Sequence, residues 1–228
     1  MLTISSLDYQ WPGAAKPLIS GLNLTLETGE WVALTGDNGA GKSTLLRLIA
    51  GLLKPTGGLI AVQGQNIAAL KAAQRAPLLG VLFQEAERQI FRHRVRDEIA
   101  FGLRHQGIRG NHLEQRIAQT LALCALTDVA EAHPLDLHAG QRRMVAVASL
   151  AAVAPPLLLL DEPSRDFDDH WLGIFTRWLD ICRTQGCTVL AISHDAAFVK
   201  QHFPRTLRLA DGVLAEQGKA QGYSWPPV

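Results

Sequence analysis

The sequence has 228 residues, 47% of them apolar, and a formal net charge of +1, which suits one α/β domain with room for an inserted subdomain. With so even a charge balance and no block of like charge, no nucleic-acid partner held by bulk electrostatics is expected. The three cysteines, Cys124, Cys182 and Cys187, fit neither a disulfide framework nor a metal-ligand spacing, so buried or neutral thiols in a reducing cytosol are expected.

The opening MLTISSLDYQ has neither the basic region nor the apolar run of a secretory signal. Leu2 and Ile4, then Leu22, Leu24 and Leu26, alternate with polar residues as half-buried strands do. Trp31–Thr35 reads as a compact buried strand, and it runs into the loop Gly36-Asp-Asn-Gly-Ala-Gly-Lys-Ser-Thr44. A helix follows on Leu45, Leu46, Leu48 and Ile49, and Gly51 ends it. Leu59–Val62 and Leu79–Phe83 are short strands. From about Val95 to Leu137 the texture becomes helical and rich in Arg, Gln, His and Leu. Met144–Val153 and Trp171–Arg183 are predicted helices, Leu157–Leu160 and Thr188–Ile192 buried strands. The segment Thr206–Gln217 reads as two strands turning at Asp211-Gly212. Strands alternating with helices predict a parallel sheet covered by helices. The most apolar stretch, Met144–Leu160, is broken by Pro155-Pro156 and closed by Asp161-Glu162. It is shorter than the ~20 residues needed to span a bilayer. The chain is therefore expected not to cross a membrane by itself, though it can sit against one.

Gly36-x4-Gly41-Lys42-Ser43, set between a strand and a helix, is the phosphate-loop pattern. Its glycines let backbone N–H groups turn toward the β-phosphate, and the helix N-terminus adds partial positive charge. Lys42 is the residue to reach the β- and γ-phosphates, and the Ser43 hydroxyl is the candidate magnesium ligand. ATP with Mg²⁺ is the ligand this pattern predicts. The apolar strand Leu157–Leu160 ends in Asp161, a carboxylate for the magnesium shell. Glu162, one residue further, is the candidate general base for the attacking water.

With these two motifs in place, four others follow in the order seen in ATP-binding cassette (ABC) ATPases, and the chain resembles that family throughout. Gln84, after Val81-Leu-Phe83, matches the family's glutamine loop, which senses the γ-phosphate and metal and faces a membrane partner. Leu137-His-Ala-Gly-Gln141 stands where the Leu-Ser-Gly-Gly-Gln signature belongs, Asp168 matches the aspartate loop, and His194 matches the switch histidine. Tyr9-Gln-Trp11-Pro-Gly13 resembles the aromatic loop that stacks on adenine. Tyr9 and Trp11 share a strand face, either can serve, and Trp11 is preferred. The resemblance implies an α/β fold: a P-loop NTPase core with a mostly parallel sheet, an N-terminal antiparallel β subdomain and an inserted α-helical subdomain. The expected organisation is one ATPase domain over 1–228, with the insertion at about 95–138. The expected nucleotide-binding set is Trp11, Tyr9, Gly36, Asn38, Gly39, Ala40, Gly41, Lys42, Ser43, Thr44 and Asp161, with His138, Gly140, Gln141 and Asp168 from the signature and aspartate loops. Glu162, His194 and Gln84 are the expected catalytic residues, and Ser43, Gln84 and Asp161 the expected metal ligands.

The sequence departs from the family pattern at the signature. His138 replaces serine, Ala139 replaces the first glycine, and Met144 replaces the arginine usual shortly afterwards; Ser164-Arg-Asp-Phe is an unusual aspartate loop. In this family two subunits clamp two ATP molecules head to tail, so a weakened signature acts on the partner's ATP. Either one site per dimer is slow, or His138 and Ala139 are neutral variation.

Val81–Phe91 is the most informative stretch for subclass. It resembles the energy-coupling factor importers and the related cobalt and nickel importers, in which a second glutamine and an aromatic residue follow the loop glutamine, here Gln89 and Phe91. Val95–Gly102 fits that group as well. Gln89 and Phe91 can equally be capping and core residues, and the chain is short for the group. The resemblance implies a second ATPase subunit, a transmembrane coupling protein and a small membrane substrate-binding protein as partners. It also implies a peripheral position on the cytoplasmic face of the membrane, uptake of a vitamin or metal ion, and force transmitted from the Gln84–Arg96 region. The rival readings are an ATPase subunit of another transporter, including an exporter, and a soluble ABC protein acting on ribosomes or DNA.

Overall fold

The computed structural model describes residues 1–219; residues 220–228 of the expected 1–228 domain lie outside the described residues. The chain forms two compact units. Of the described residues, the first takes Met1–Lys71, Leu159–Glu162 and 188–219; the second takes Ala72–Leu158 and Pro163–Cys187.

Apolar alternation shapes the opening strands. In β1 (Leu2–Tyr9) and β2 (Ile19–Leu26) the residues Leu2, Ile4, Leu22, Leu24 and Leu26 are buried between exposed neighbours, as period-two side chains on a half-covered sheet require. The chain continues through β3 (Trp31–Thr35), α1 (Lys42–Ile49), β4 (Gly57–Val62) and β5 (Gln65–Asn66). Strands β2, β1, β4 and β5 form an antiparallel sheet in that order, with Leu2 opposite both Leu26 and Val62. The register slips between Ile4 and Leu7, where Ser6 takes a left-handed φ of 45° and donates its N–H to Asn23 Oδ1 at 2.8 Å. The extra residue bends the strand end that carries Tyr9.

The second unit opens with α2 (Ala72–Arg75) and β6 (Leu79–Leu82), then three longer helices: α3 (Val95–His105), α4 (Gly110–Leu123) and α5 (Ala139–Val153). It is wider than the 95–138 insertion expected from sequence, and α5 begins at Ala139 rather than Met144. After β7 (Leu157–Asp161), whose residues from Leu159 belong to the first unit, α6 (Asp169–Thr184) completes the second. Val95, Ile99, Ala100 and Leu103 of α3 and Met144, Val145, Val147 and Ala148 of α5 are buried apolar faces. Helices α3 and α5 approach closely at Gly102, where an added Cβ would lie 2.5 Å from Val153 Cγ2. Glu98, 6% exposed, accepts the N–H groups of Phe91 (2.9 Å) and Arg92 (2.8 Å), so α3 fixes the loop before it. All three cysteines are free and buried, and burial pushes the Cys124 thiol up to about 12.

The remaining elements are β8 (Thr188–Ile192), α7 (Ala196–His202), β9 (Arg205–Ala210) and β10 (Val213–Lys219). In the first unit the order is β10, β9, β3, β8, β7, with β3 parallel to both β8 and β9. Strands β9 and β10 pair antiparallel across Asp211-Gly212, both at positive φ (49° and 78°), the backbone a two-residue hairpin needs. The mostly parallel core and the N-terminal antiparallel sheet are those expected from the sequence. Helix α7 was not anticipated: its seven residues are too few for a periodic pattern.

Replacing Gly102 by alanine should cost about 1–3 kcal/mol, the range for overpacking a core. Thermal denaturation should then show a midpoint several degrees lower, and adding Val153→Ala should recover part of the loss. Strictly additive losses in the double variant would show that the helix contact does not set this position.

Candidate nucleotide-binding and hydrolysis site

The buried strand β3 delivers the chain to Gly36 at φ 140°, beneath the β9 backbone. A Cβ at Gly36 would lie 2.3 Å from the Leu209 carbonyl oxygen, so only glycine makes the turn. Gly39 (φ 84°) and Gly41 (φ 101°) continue the left-handed path. The loop closes on itself: Ala40 N–H donates to Asp37 O at 3.2 Å, and Lys42 Nζ donates to Gly36 O at 2.7 Å and Asp37 O at 3.0 Å. Lys42 is only 7% exposed, so its ammonium is held at the loop rather than in bulk water. Gly41 is the N-cap of α1, and no side chain caps that terminus. The first-turn amides and the helix dipole are thus arranged for an anion, as a phosphate requires. Asn38 and Gly39 lie exposed on the loop, and Ser43 and Thr44 are half-buried in the first turn.

Asp161, 5% exposed, ends β7, and Glu162 follows with a left-handed φ of 49°. That conformation costs a non-glycine residue roughly 1–2 kcal/mol. It is held by the Glu162 N–H donating to Ile192 O at 2.9 Å. The Glu162 carboxylate meets the segment after β8: Oε2 accepts the His194 N–H at 3.2 Å, and Oε1 lies 3.5 Å from His194 Nε2. The histidine ring is 57% exposed and Glu162 only 16%. Asp195 caps α7 by accepting from Ala197 and Phe198 N–H, both at 3.0 Å, which fixes the direction in which His194 leaves β8. The first unit therefore brings together the phosphate loop, Asp161, Glu162 and His194. It also holds the aromatic pair, edge to face with centroids 5.2 Å apart. Tyr9 is 5% exposed and Trp11 39%, so Tyr9 buttresses from the core while Trp11 keeps a face available for stacking.

The other sequence candidates lie in the second unit. Gln84 is exposed just after β6. Gln89 fastens the following turn back onto β6, accepting from Phe83 N–H at 2.9 Å and donating to Val81 O at 2.7 Å. Phe91 is 75% exposed, so it is not a core residue. Asp168 caps α6 by accepting the Trp171 N–H at 2.9 Å. His138 is the N-cap of α5 but its ring makes no capping bond, and Ala139 opens the helix, both exposed. Gly140 is buried, with room for a Cβ taken by Trp171 at 2.8 Å. Gln141 is half-buried.

The profile described as ABC transporter matches residues 19–165. The chain belongs to the ABC transporter family. Among curated relatives it is 35% identical over 218 residues to a putative ABC transporter ATP-binding protein of Streptomyces avermitilis, covering 96% of this chain and 82% of that one. It is 33% identical over 224 residues to the energy-coupling factor transporter ATP-binding protein EcfA of Methanothermobacter thermautotrophicus, covering 96% and 70%. Other ABC transporter relatives are longer: the chain spans 30% of one from Bifidobacterium longum and 38% of one from Photobacterium profundum. Among solved structures it resembles the dimeric post-hydrolysis state of the ATP-binding cassette MJ0796 bound to ADP and Pi. The TM-score is 0.87 at 25% identity, covering 98% of this chain and 100% of that one. It also resembles cbiO1 from Clostridium perfringens, part of the ABC transporter complex cbiONQ, with a TM-score of 0.83 at 25% identity, covering 96% and 88%. The chain thus carries the ATPase cassette of the ABC transporter family.

Within that cassette the structure exposes a residue that sequence reading missed. Arg143, 3% exposed, donates to Gln84 O at 2.9 Å and Pro163 O at 3.4 Å, and its guanidinium lies 4.0 Å from Asp166. It clips the backbone of the glutamine loop to that of the aspartate loop, where Asp166 takes a left-handed φ of 65°. In the sequence, Met144 stands where the family has arginine, which draws the eye past Arg143. The doublet Arg142-Arg143 inside an otherwise apolar helix was the available signal.

Replacing Glu162 by glutamine keeps the shape and removes the proton acceptor. ATP turnover should fall by at least about 100-fold, the lower range for losing a general base, while binding of a fluorescent ATP analogue stays within a few-fold. Turnover within tenfold of the parent would remove Glu162 from the catalytic step.

Proposed function

We propose that this chain is the ATP-binding and ATP-hydrolysing subunit of an importer of the energy-coupling factor type. The Glu162–His194 pair, beside a phosphate loop built around Gly36 and Lys42, carries the hydrolytic part of the reading. Trp11 stacks on adenine, and the loop amides with Lys42 hold the β- and γ-phosphates. The Glu162 carboxylate takes a proton from water as its oxygen attacks the γ-phosphorus, the bond to the β-phosphate oxygen breaks, and ADP and phosphate remain. His194, which follows β8 at the same edge of the sheet as the phosphate loop, contacts the γ-phosphate.

The residues suit magnesium. Among the described residues no group of three His, Cys, Asp or Glu forms a metal cage, and Mg²⁺ bound to a nucleotide needs none, because it keeps waters and uses phosphate oxygens with one or two protein ligands. Ser43 and Asp161, both of the first unit, would be those ligands. When bound, the ion neutralises charge on the β- and γ-phosphate oxygens.

The chain pairs with a second ATPase subunit. The relationship to EcfA and to cbiO1 supports membrane partners: a coupling protein and a small substrate-binding protein that selects a vitamin or metal ion. No helix among the described residues is long and apolar enough to cross a membrane, so this chain attaches at the cytoplasmic face through its partners. The test is to tag the full chain, solubilise membranes in mild detergent and identify co-purifying proteins by mass spectrometry. Recovery of a coupling protein and a small substrate-binding membrane protein is expected, and recovery of soluble proteins or ribosomes alone would sink the importer reading.

The signature supports one slow ATP site per dimer, or two in a homodimer. Without a side-chain cap at His138, α5 offers an incoming γ-phosphate no hydroxyl. Ala139 has no positive φ and is unstrained, so its methyl acts only by filling space where a phosphate approaches. Changing His138→Ser with Ala139→Gly should raise ATP turnover of the purified complex about fivefold, the yield of ~1 kcal/mol from one recovered donor. An unchanged rate would make both residues neutral.

A further inference from the structure

Helix α6 ends in a turn that brings two of the cysteines together. Gln185 is its C-cap, and Gly186 follows at a left-handed φ of 72°. The Gly186 N–H donates to Arg183 O at 3.0 Å, and the Cys187 N–H donates to Cys182 O at 2.9 Å. This pair of bonds sets the residue two past the cap against the residue three before it, a contact that apolar side chains usually fill. Here both positions carry thiols. Cys182 S–H donates to the Cys187 sulfur, and Cys187 Sγ donates in turn to Pro155 O at 3.4 Å. The bond from Cys182 holds the Cys187 thiol below its usual range, against the opposing effect of burial, and pushes the Cys182 thiol up.

Cys182 and Cys187 are 8% and 7% exposed, yet the turn that joins them, Thr184, Gln185 and Gly186, is exposed throughout. Helix ends open more readily than helix interiors, which gives a molecule as small as hydrogen peroxide its access. Cys124 differs in both respects: it is 0% exposed, and burial alone pushes its thiol up to about 12.

We propose that Cys182 and Cys187 form a reversible dithiol–disulfide couple, with hydrogen peroxide as the oxidant and Cys187 as the attacking sulfur. The Cys187 thiolate attacks one peroxide oxygen, the O–O bond breaks, and Cys187 becomes a sulfenic acid. The hydroxide that leaves takes up the proton Cys187 gave away and forms water. The Cys182 sulfur then attacks the Cys187 sulfur, the S–O bond breaks, and the hydroxide departs with the Cys182 proton as a second water. Two thiols are oxidised to one disulfide, and one peroxide is reduced to two waters. A sulfenic acid that meets no thiol proceeds to the irreversible sulfinic and sulfonic acids; Cys182 closes that route. The disulfide also removes the Cys187 S–H, so oxidation exchanges the tie to Pro155 for one within the cap.

The test treats the folded full chain with hydrogen peroxide, alkylates the remaining thiols and digests with trypsin without reductant. Arg183 separates the two cysteines, so the disulfide holds peptides 178–183 and 184–200 together, while Cys124 lies in 117–142. The joined pair is expected in the parent chain, released by dithiothreitol, with Cys124 alkylated. Cys182→Ser keeps a hydroxyl donor beside Cys187 and removes the resolving sulfur. After the same peroxide dose it should carry about tenfold more sulfinic and sulfonic acid at Cys187 than the parent, which dithiothreitol does not reverse. Binding of a fluorescent ATP analogue reports that the variant is folded, and the parent's peptide map decides the pairing without any substitution. A disulfide to Cys124, a link between two chains, irreversible acids in the parent, or thiols that stay reduced until the chain unfolds overturns the couple. Equal amounts of those acids in variant and parent overturn it as well.

Discussion

Residue 36 leaves a strand buried on both faces and must turn beneath the carbonyl of Leu209, where a side chain would sit 2.3 Å from the oxygen. The absence of that one carbon fixes the start of the phosphate loop. From there the backbone runs left-handed through Gly39 and Gly41, Lys42 folds back onto the Gly36 and Asp37 carbonyls, and α1 begins with an uncapped N-terminus. A loop of this kind stores no cavity for its ligand. It stores unsatisfied donors, and phosphate is the ligand that completes them.

The hydrolytic end shows the same economy of means. Glu162 occupies a backbone region that few side chains adopt, and the Ile192 carbonyl on β8 holds it there. One strand thereby positions both members of the pair, since His194 follows β8 directly. Backbone strain of this kind clusters at functional sites. In the second unit Arg143 has a comparable office, with its guanidinium divided between backbone carbonyls from two loops. The Asp166 carboxylate, 4.0 Å away, adds charge to that backbone clip.

The parts of the site that are local in sequence were legible there. The phosphate loop, the strand ending in Asp161-Glu162 and the Asp211-Gly212 hairpin each declare themselves within one short stretch of sequence, because their geometry is dictated by glycine conformation and by apolar runs. Arg143 was not legible, since its partners Gln84 and Pro163 lie far away in sequence and contribute only carbonyls that every residue possesses. The different exposure of Tyr9 and Trp11 was not legible either: β1 ends at Tyr9, so the strand alternation that would put both on one face stops before Trp11. Gln89 suggested a subclass marker; its side chain is also a strand staple, bonded to Val81 and Phe83. Phe91, a candidate core residue by its chemistry, projects outward because the Glu98 carboxylate holds its amide.

The segment that begins α3 is zipped to the one that leads toward the signature. Val95 N–H donates to Ala132 O at 3.2 Å and Arg96 N–H to Ala130 O at 3.0 Å, with the Arg94 and Arg96 ion pairs to Glu131 alongside. A push applied to the loop at Phe91 would meet these backbone bonds, which are short, directional and insensitive to ionic strength, on its way to the stretch that ends at His138. The ion pairs beside them add a stiffness that salt softens.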